Sequence, residues 1–258
     1  MRKLLCLALA AGLALAAGAA RAQPTHIVVH VKSKDAKFVG SSMGGVAVTI
    51  RDHATGELLA QGLTAGGTGD TARLMKEPHQ RGKPLSTPGA AQWKTTLDLK
   101  QPAKLEISAH GPLAQAQSAN TVSLTTWVVP GKHLDQGDGV LLEMPGFVVD
   151  VMEPPAHLVK TGAPQEIWLT ANVTMMCGCP IKPDFIWDAN RYEVKALITK
   201  GGQKVGEKAL AYAGETSQFS ADLELTEPGA YLITVYAYDP ATGNTGLDRT
   251  TVVVKKQE

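Results

Sequence analysis

"QEIWLTANVTM" (residues 165–175) and the segment that follows it, "MCGCPIKPDF" (176–185), decide how this chain is read. Ile167, Leu169, Ala171, Val173 and Met175 occupy every second position, with Trp168, Thr170, Asn172 and Thr174 between them. Successive side chains of a strand point to opposite faces, so this spacing predicts a half-buried strand with the first set toward the core. Met175 is therefore predicted to face inward and Met176 outward. Gly178 and Pro180 break regular pairing, which puts residues 177–190 in a loop at one end of whatever layer the strand belongs to.

The same period of two recurs throughout, with turn residues between the runs and little helical spacing. In the first half, "THIVVHVK" (25–32) places Ile27, Val29 and Val31 on one face and His26, Val28 and His30 on the other. "GVAVTIRD" (45–52) and "ATGELLAQGLT" (54–64) read as a strand, a turn and a second strand. Further strands are predicted at "WKTTLDL" (93–99), "AKLEISAHG" (103–111), "TVSLTTWVV" (121–129) and "GVLLEM" (139–144). Residues 66–92 are rich in Gly, Pro and polar residues and read as long loops; "GGTGD" (66–70) is included, with no helical pattern after it.

"MPGFVVDVMEPP" (144–155) reads as a hinge and the first strand of a second unit, because its prolines interrupt a continuous sheet. After it come the opening stretch, "RYEVKALITK" (191–200), "KVGEKALAY" (204–212), "SQFSADLEL" (217–225), "GAYLITVYAYD" (229–239) and "LDRTTVVVK" (247–255). "KGGQK" (200–204) is a hairpin connection and "DPATGN" (239–244) a Gly-containing loop. The reading is all-β: two β-sandwich domains in tandem, residues 23–145 and 146–258.

Two resemblances carry fold names. "GVAVTIRDHATGELLAQGLTAGGTGDT" (45–71) resembles the start of a transthyretin-like or carboxypeptidase-regulatory-like sandwich. Seven strands in about 110 residues suit an immunoglobulin-like sandwich, and "GAYLITVYAYDPATGNTG" (229–246) resembles the penultimate strand and following loop of many bacterial immunoglobulin-like domains. Both imply a fold and no activity. Such domains often serve as binding, adhesion or spacer modules.

The chain opens with Arg2 and Lys3, runs through Leu, Ala and Gly, and reaches Ala20-Arg21-Ala22. That pattern predicts a secretory signal peptide over residues 1–22, cut before Gln23, and hence a periplasmic or secreted chain without Cys6. No later run is long and apolar enough for a membrane helix, so no membrane insertion of the mature chain is expected. Residues 1–22 carry three cations and no carboxylate, so their removal moves the formal charge from +1 to −2. Such a balance gives no reason to expect a nucleic-acid partner.

Cys177 and Cys179 are then the only remaining thiols. As a disulfide they would need a sharp bend at Gly178, since residues two apart in an extended chain stand roughly 6.5–7 Å apart. The same bend could aim both sulfurs at one ion. Thiolates with thioethers favour Cu(I), which two or three donors satisfy, so Cys177, Cys179, Met176 and Met175 form a candidate soft-ion set. Thiol exchange or sulfur carriage is a third reading, although the customary arrangement is CxxC at a helix start. Two inert core residues is the fourth. "PDFIWDANRYEV" (183–194) offers Phe185, Trp187 and Asp188 as a partner or ligand loop, unless its Trp and Tyr are core residues.

His26 and His30 stand roughly 13 Å apart along one strand, too far to share an ion. The other histidines, His53, His79, His110, His133 and His157, have no local partners and read as surface residues. No serine-nucleophile elbow, zinc-protease, phosphate-loop or dinucleotide motif is present, so the chain reads as a non-enzyme. The leading expectation is a periplasmic metal-handling protein binding Cu(I) or a similar soft ion for delivery, storage or assembly. The rival is a non-catalytic immunoglobulin-like interaction or scaffold module of the cell envelope with a local disulfide; a thiol redox or sulfur-carrier protein is the third. An envelope protein or a metalloenzyme client would be the partner.

Overall fold

The computed structural model describes residues 21–257. All but the last two residues of the expected signal segment, Cys6 among them, lie outside the described residues. The chain folds as all-β tandem sandwiches. The first is built from β1 (Gln23–Ser33), β2 (Ala47–Asp52), β3 (Leu58–Leu63), β4 (Trp93–Leu99), β5 (Ala103–Gly111), β6 (Asn120–Val128) and β7 (Val140–Met144). Its sheets run β4-β1-β7 and β3-β2-β5-β6, with β1 and β7 parallel and the other pairs antiparallel. Ile27, Val29 and Val31 meet Val48, Ile50, Leu105 and Ile107 between the layers, as their period of two requires.

The second sandwich contains β8 (Phe147–Glu153), β9 (Leu158–Thr161), β10 (Gln165–Met175), β11 (Glu193–Lys200), β12 (Gln203–Ala209), β13 (Ala211–Tyr212), β14 (Gln218–Leu225), β15 (Gly229–Tyr238) and β16 (Thr245–Lys255). The sheets are β13-β14-β10-β8 and β12-β11-β15-β16-β9. In the letters used for such folds this is D-E-B-A facing C′-C-F-G-A′, an immunoglobulin-like order. A second mark is Tyr231, near the start of β15, whose buried ring sends its hydroxyl back to the Glu227 carbonyl at 2.7 Å. That is the tyrosine corner of these sandwiches. Gly201 and Gly202, both at positive φ, make the tight connection between β11 and β12.

Three local expectations are corrected. The single strand expected over 204–212 divides at Leu210, which enters the core while its N–H bonds the Val194 carbonyl, so the chain crosses from one sheet to the other. The short β9, after two prolines, pairs in parallel with β16; four residues give too little alternation to read. "GGTGD" does precede a helix, α1 (Thr71–Met75), because the Asp70 side chain accepts from the Arg73 N–H at 2.8 Å and caps it. One turn of helix is too brief for a helical pattern.

Residues 64–92 cover the outer face of the β4-β1-β7 sheet. Phe38, Leu74, Ala90 and Ala91 form a small third core there. Asp138 accepts from the Leu85 and Ser86 N–H groups, both at 2.8 Å, and Arg73 holds the Pro84 carbonyl. His30 is consequently buried against Phe38, its Nδ1 2.8 Å from the Ala91 carbonyl oxygen. Burial lowers its pKa from the ordinary 6.5, partly offset by that hydrogen bond. The unfolded chain therefore binds the extra proton first, and stability falls as pH drops from about 6.5 toward the folded-state value, with no contribution above it. Thermal melts from pH 7.5 to pH 5 should show this decline, and His30→Asn, which keeps a donor for Ala91, should flatten it.

Candidate functional site

The Cys-Gly-Cys segment is the turn that ends β10. Gly178 N–H bonds the Met175 carbonyl at 2.8 Å and Met175 N–H bonds the Cys179 carbonyl at 3.2 Å, so the chain doubles back within five residues. Gly178 sits at φ +73, where a side chain is strained. A Cβ there would also stand 2.6 Å from the Met43 sulfur of the first sandwich. The bend brings the two cysteine Cα atoms to 5.3 Å, nearer than an extended chain allows, and the sulfurs are bonded to each other. Both cysteines are buried, 2% and 4% exposed, in the second sandwich's core.

The two methionines part company. Met175 packs with the cysteines in the second core, as its alternation predicts. Met176 does not face out: it is fully buried and belongs to the first sandwich's core, with Met144 and Val148. The outward side of β10 at its end is covered by the neighbouring sandwich. The four sulfurs named from sequence thus do not gather at one point, and with the thiols joined there is no thiolate pair in this form.

The partner loop is likewise drawn into the seam. Trp187 is 2% exposed, and its indole N–H donates to the Asp35 carbonyl at 3.0 Å across the seam. Asp188 organises its own turn, accepting from the Asp184 and Asn190 N–H groups at 3.2 and 3.0 Å. Phe185 alone stays at the surface, with the Lys182 ammonium 4.4 Å from its ring centre. The 239–244 loop does the same: the buried Asn244 side chain accepts from Gly146 N–H at 3.0 Å and donates to the Lys34 carbonyl at 3.1 Å. Ala36, from the first sandwich, lies in the second core. The link between the sandwiches is Pro145-Gly146, and the hinge expected there is pinned from both sides.

Carboxylates Asp35 and Asp239 face this seam. Burial, then the charge of Asp239, raises the pKa of Asp35. Burial and both carboxylates push the Tyr192 phenol up to about 12. The phenol therefore stays protonated, edge-on to Phe147 at 5.1 Å between ring centres.

The histidines give one surprise. His133 meets His26, with ring centres 4.5 Å apart and the His26 N–H donating to His133 Nδ1 at 3.1 Å. An Nδ1 that accepts leaves the proton on Nε2, so neither nitrogen of His133 is open to an ion in this tautomer. Sequence separation of 107 residues hid the contact. Among the described residues, no three His, Cys, Asp or Glu side chains gather as a metal site, and no helix is long and apolar enough to cross a membrane.

No protein-family model and no curated protein matches this chain. Among solved structures it resembles an engineered protein at 19% identity, covering 49% of this chain and 24% of that one, with a TM-score of 0.32. Fibronectin(III)-like modules of CbhA from Clostridium thermocellum match at 20% identity, over 43% of this chain and 99% of theirs, TM-score 0.28. The titin Z1Z2 domains match at 9% identity, over 92% and 98%, TM-score 0.27. Scores of this size carry no argument; the immunoglobulin-like assignment rests on strand order and the tyrosine corner.

Two substitutions test the seam. Met176→Ala should cost about 2–5 kcal/mol and split one cooperative thermal transition into two, read by calorimetry. Gly178→Ala should cost about 1–2 kcal/mol for the left-handed backbone and more for the contact with Met43. Adding Met43→Ala should restore only the second part, which a double-mutant cycle in denaturant measures.

Proposed function

We propose that this chain is a non-catalytic interaction or scaffold module of the cell envelope, exported through its amino-terminal segment. The observation that carries this reading is the seam. At one end of the immunoglobulin-like sandwich the loops that could have formed a ligand site, 176–192 and 239–244, are used to lock the first sandwich in place. A docked pair with a two-residue link holds its outer faces at a fixed angle, which suits a spacer or a presenting scaffold. The Cys177–Cys179 bond stiffens the turn against which Met43 rests. Its contribution is to local shape, because so short a loop removes little entropy from the unfolded chain.

A second reading, soft-ion binding by the reduced pair, draws support from the turn itself, which holds the two cysteine sulfurs side by side. One experiment separates the two. The chain is purified from the periplasm, its free thiols are counted, and its intact and native masses are measured. The scaffold reading expects no free thiol, a mass lighter by two hydrogens than the reduced chain, and no metal adduct. Two free thiols with a copper adduct, lost in Cys177→Ser/Cys179→Ser, would replace it with the soft-ion reading.

A further inference from the structure

β6 is an edge strand of unusual composition for its position. Its nine residues, Asn120 to Val128, contain no charge. It pairs with β5 on one side, and among the described residues it has no ladder partner on the other. Long uncharged edges offer unpaired N–H and C=O groups to another strand, and proteins ordinarily blunt them with charge, brevity or cover. The other edges here are blunted in those ways. β4 carries Lys94 and Asp98, β7 Glu143, β8 Asp150 and Glu153, β9 Lys160, and β12 Lys204, Glu207 and Lys208. β13 has two residues. β3 is uncharged, but Trp93 lies over it, its indole against Gly62 where a Cβ would stand.

β6 also exposes apolar side chains on both faces. Trp127, opposite Lys104, lies on the outer face and is 66% exposed; Leu124, opposite Ile107, points to the core side yet is 41% exposed at the rim. Val129, just beyond the strand, is 46% exposed.

We propose that β6 is a homodimer interface, on which a second copy of this chain adds its own β6 antiparallel across a two-fold axis at Leu124. Leu124 is the strand's central residue, so this register pairs all nine residues with nine. It sets Leu124 against Leu124, Ser123 against Thr125 and Trp127 against Thr121, keeping core faces on one side of a continuous eight-stranded sheet. With no charge in the strand, self-pairing meets no like-charge repulsion. The same register brings Val129 of one copy level with Ala119 of the other. There Ala119, Tyr236, Leu247 and Gly246 line a hollow of about 210 Å³ at the seam. A second copy thus covers Leu124 with its own Leu124, sets Thr121 beside Trp127 and brings Val129 to the hollow. The inference goes beyond the scaffold reading and does not depend on what the scaffold holds.

Sedimentation equilibrium of the chain from Gln23 onward, at tens of micromolar, should give a dimer. Thr125→Lys, on the exposed face, places lysines diagonally across the axis and should weaken association by up to about fivefold. Trp168→Lys, changing an exposed tryptophan of the second sandwich, should leave it unchanged. Leu124→Cys should cross-link to itself under oxidation, since residues directly opposite across such a pair are within disulfide reach. Thr121→Cys should not, because its two copies would stand about 20 Å apart. A monomeric wild type overturns the proposal. So does a dimer that Thr125→Lys leaves intact, or one in which Leu124→Cys fails to cross-link.

Discussion

The step from Met175, the last residue of β10, to Met176, the first of the turn, governs this molecule. Met175 and Met176 are adjacent and leave the chain on opposite sides where the strand passes into its turn, and each side here is the interior of a different sandwich. Burying a methionine in this way is worth about 1.5–3 kcal/mol, and the two side chains tie one backbone segment to both cores. Ala36 and Val148 make the reciprocal crossings, from the first sandwich into the second core and the reverse. With cores exchanged and a link of two residues, the sandwiches share one seam instead of hanging from a hinge.

That seam changes the meaning of the chemical residues. A thiol pair ending an exposed strand invites a ligand; the same pair bonded and packed beneath Met43 is part of a structural turn. Trp187 is a comparable case: its apolar body fills the second core and its N–H meets a carbonyl of the first sandwich. A buried indole N–H needs such an acceptor. Polar groups at the seam are paired in the same economical manner, Asn244 using its acceptor and its donor on two different chain segments. The molecule's unassigned surfaces therefore lie elsewhere, on sheet faces and on the uncharged edge of β6.

Much of the fold was legible in the sequence. The inward sets of β1 and β10 were placed residue by residue, the glycine hairpin at 200–204 is where its composition put it, and the all-β class followed from the period of two. The tyrosine corner is legible too, in the Glu-Pro-Gly-Ala-Tyr run of residues 227–231. Three assignments could not be made correctly from pattern. His30 and Met176 sit on faces that alternation marks as outer, and Trp187 lies in a loop with no period at all; each is buried by residues distant in sequence.

The sequence by itself determined which backbone segments extend, which side chains alternate inward and where glycine must turn the chain, because these depend on neighbours one to four positions away. Tertiary structure alone decided that the chain just past β10 enters a second interior, that the candidate binding loop is a strut, and that His26 meets His133. Burial and contact depend on what the rest of the chain lays against a residue, and no local pattern encodes that.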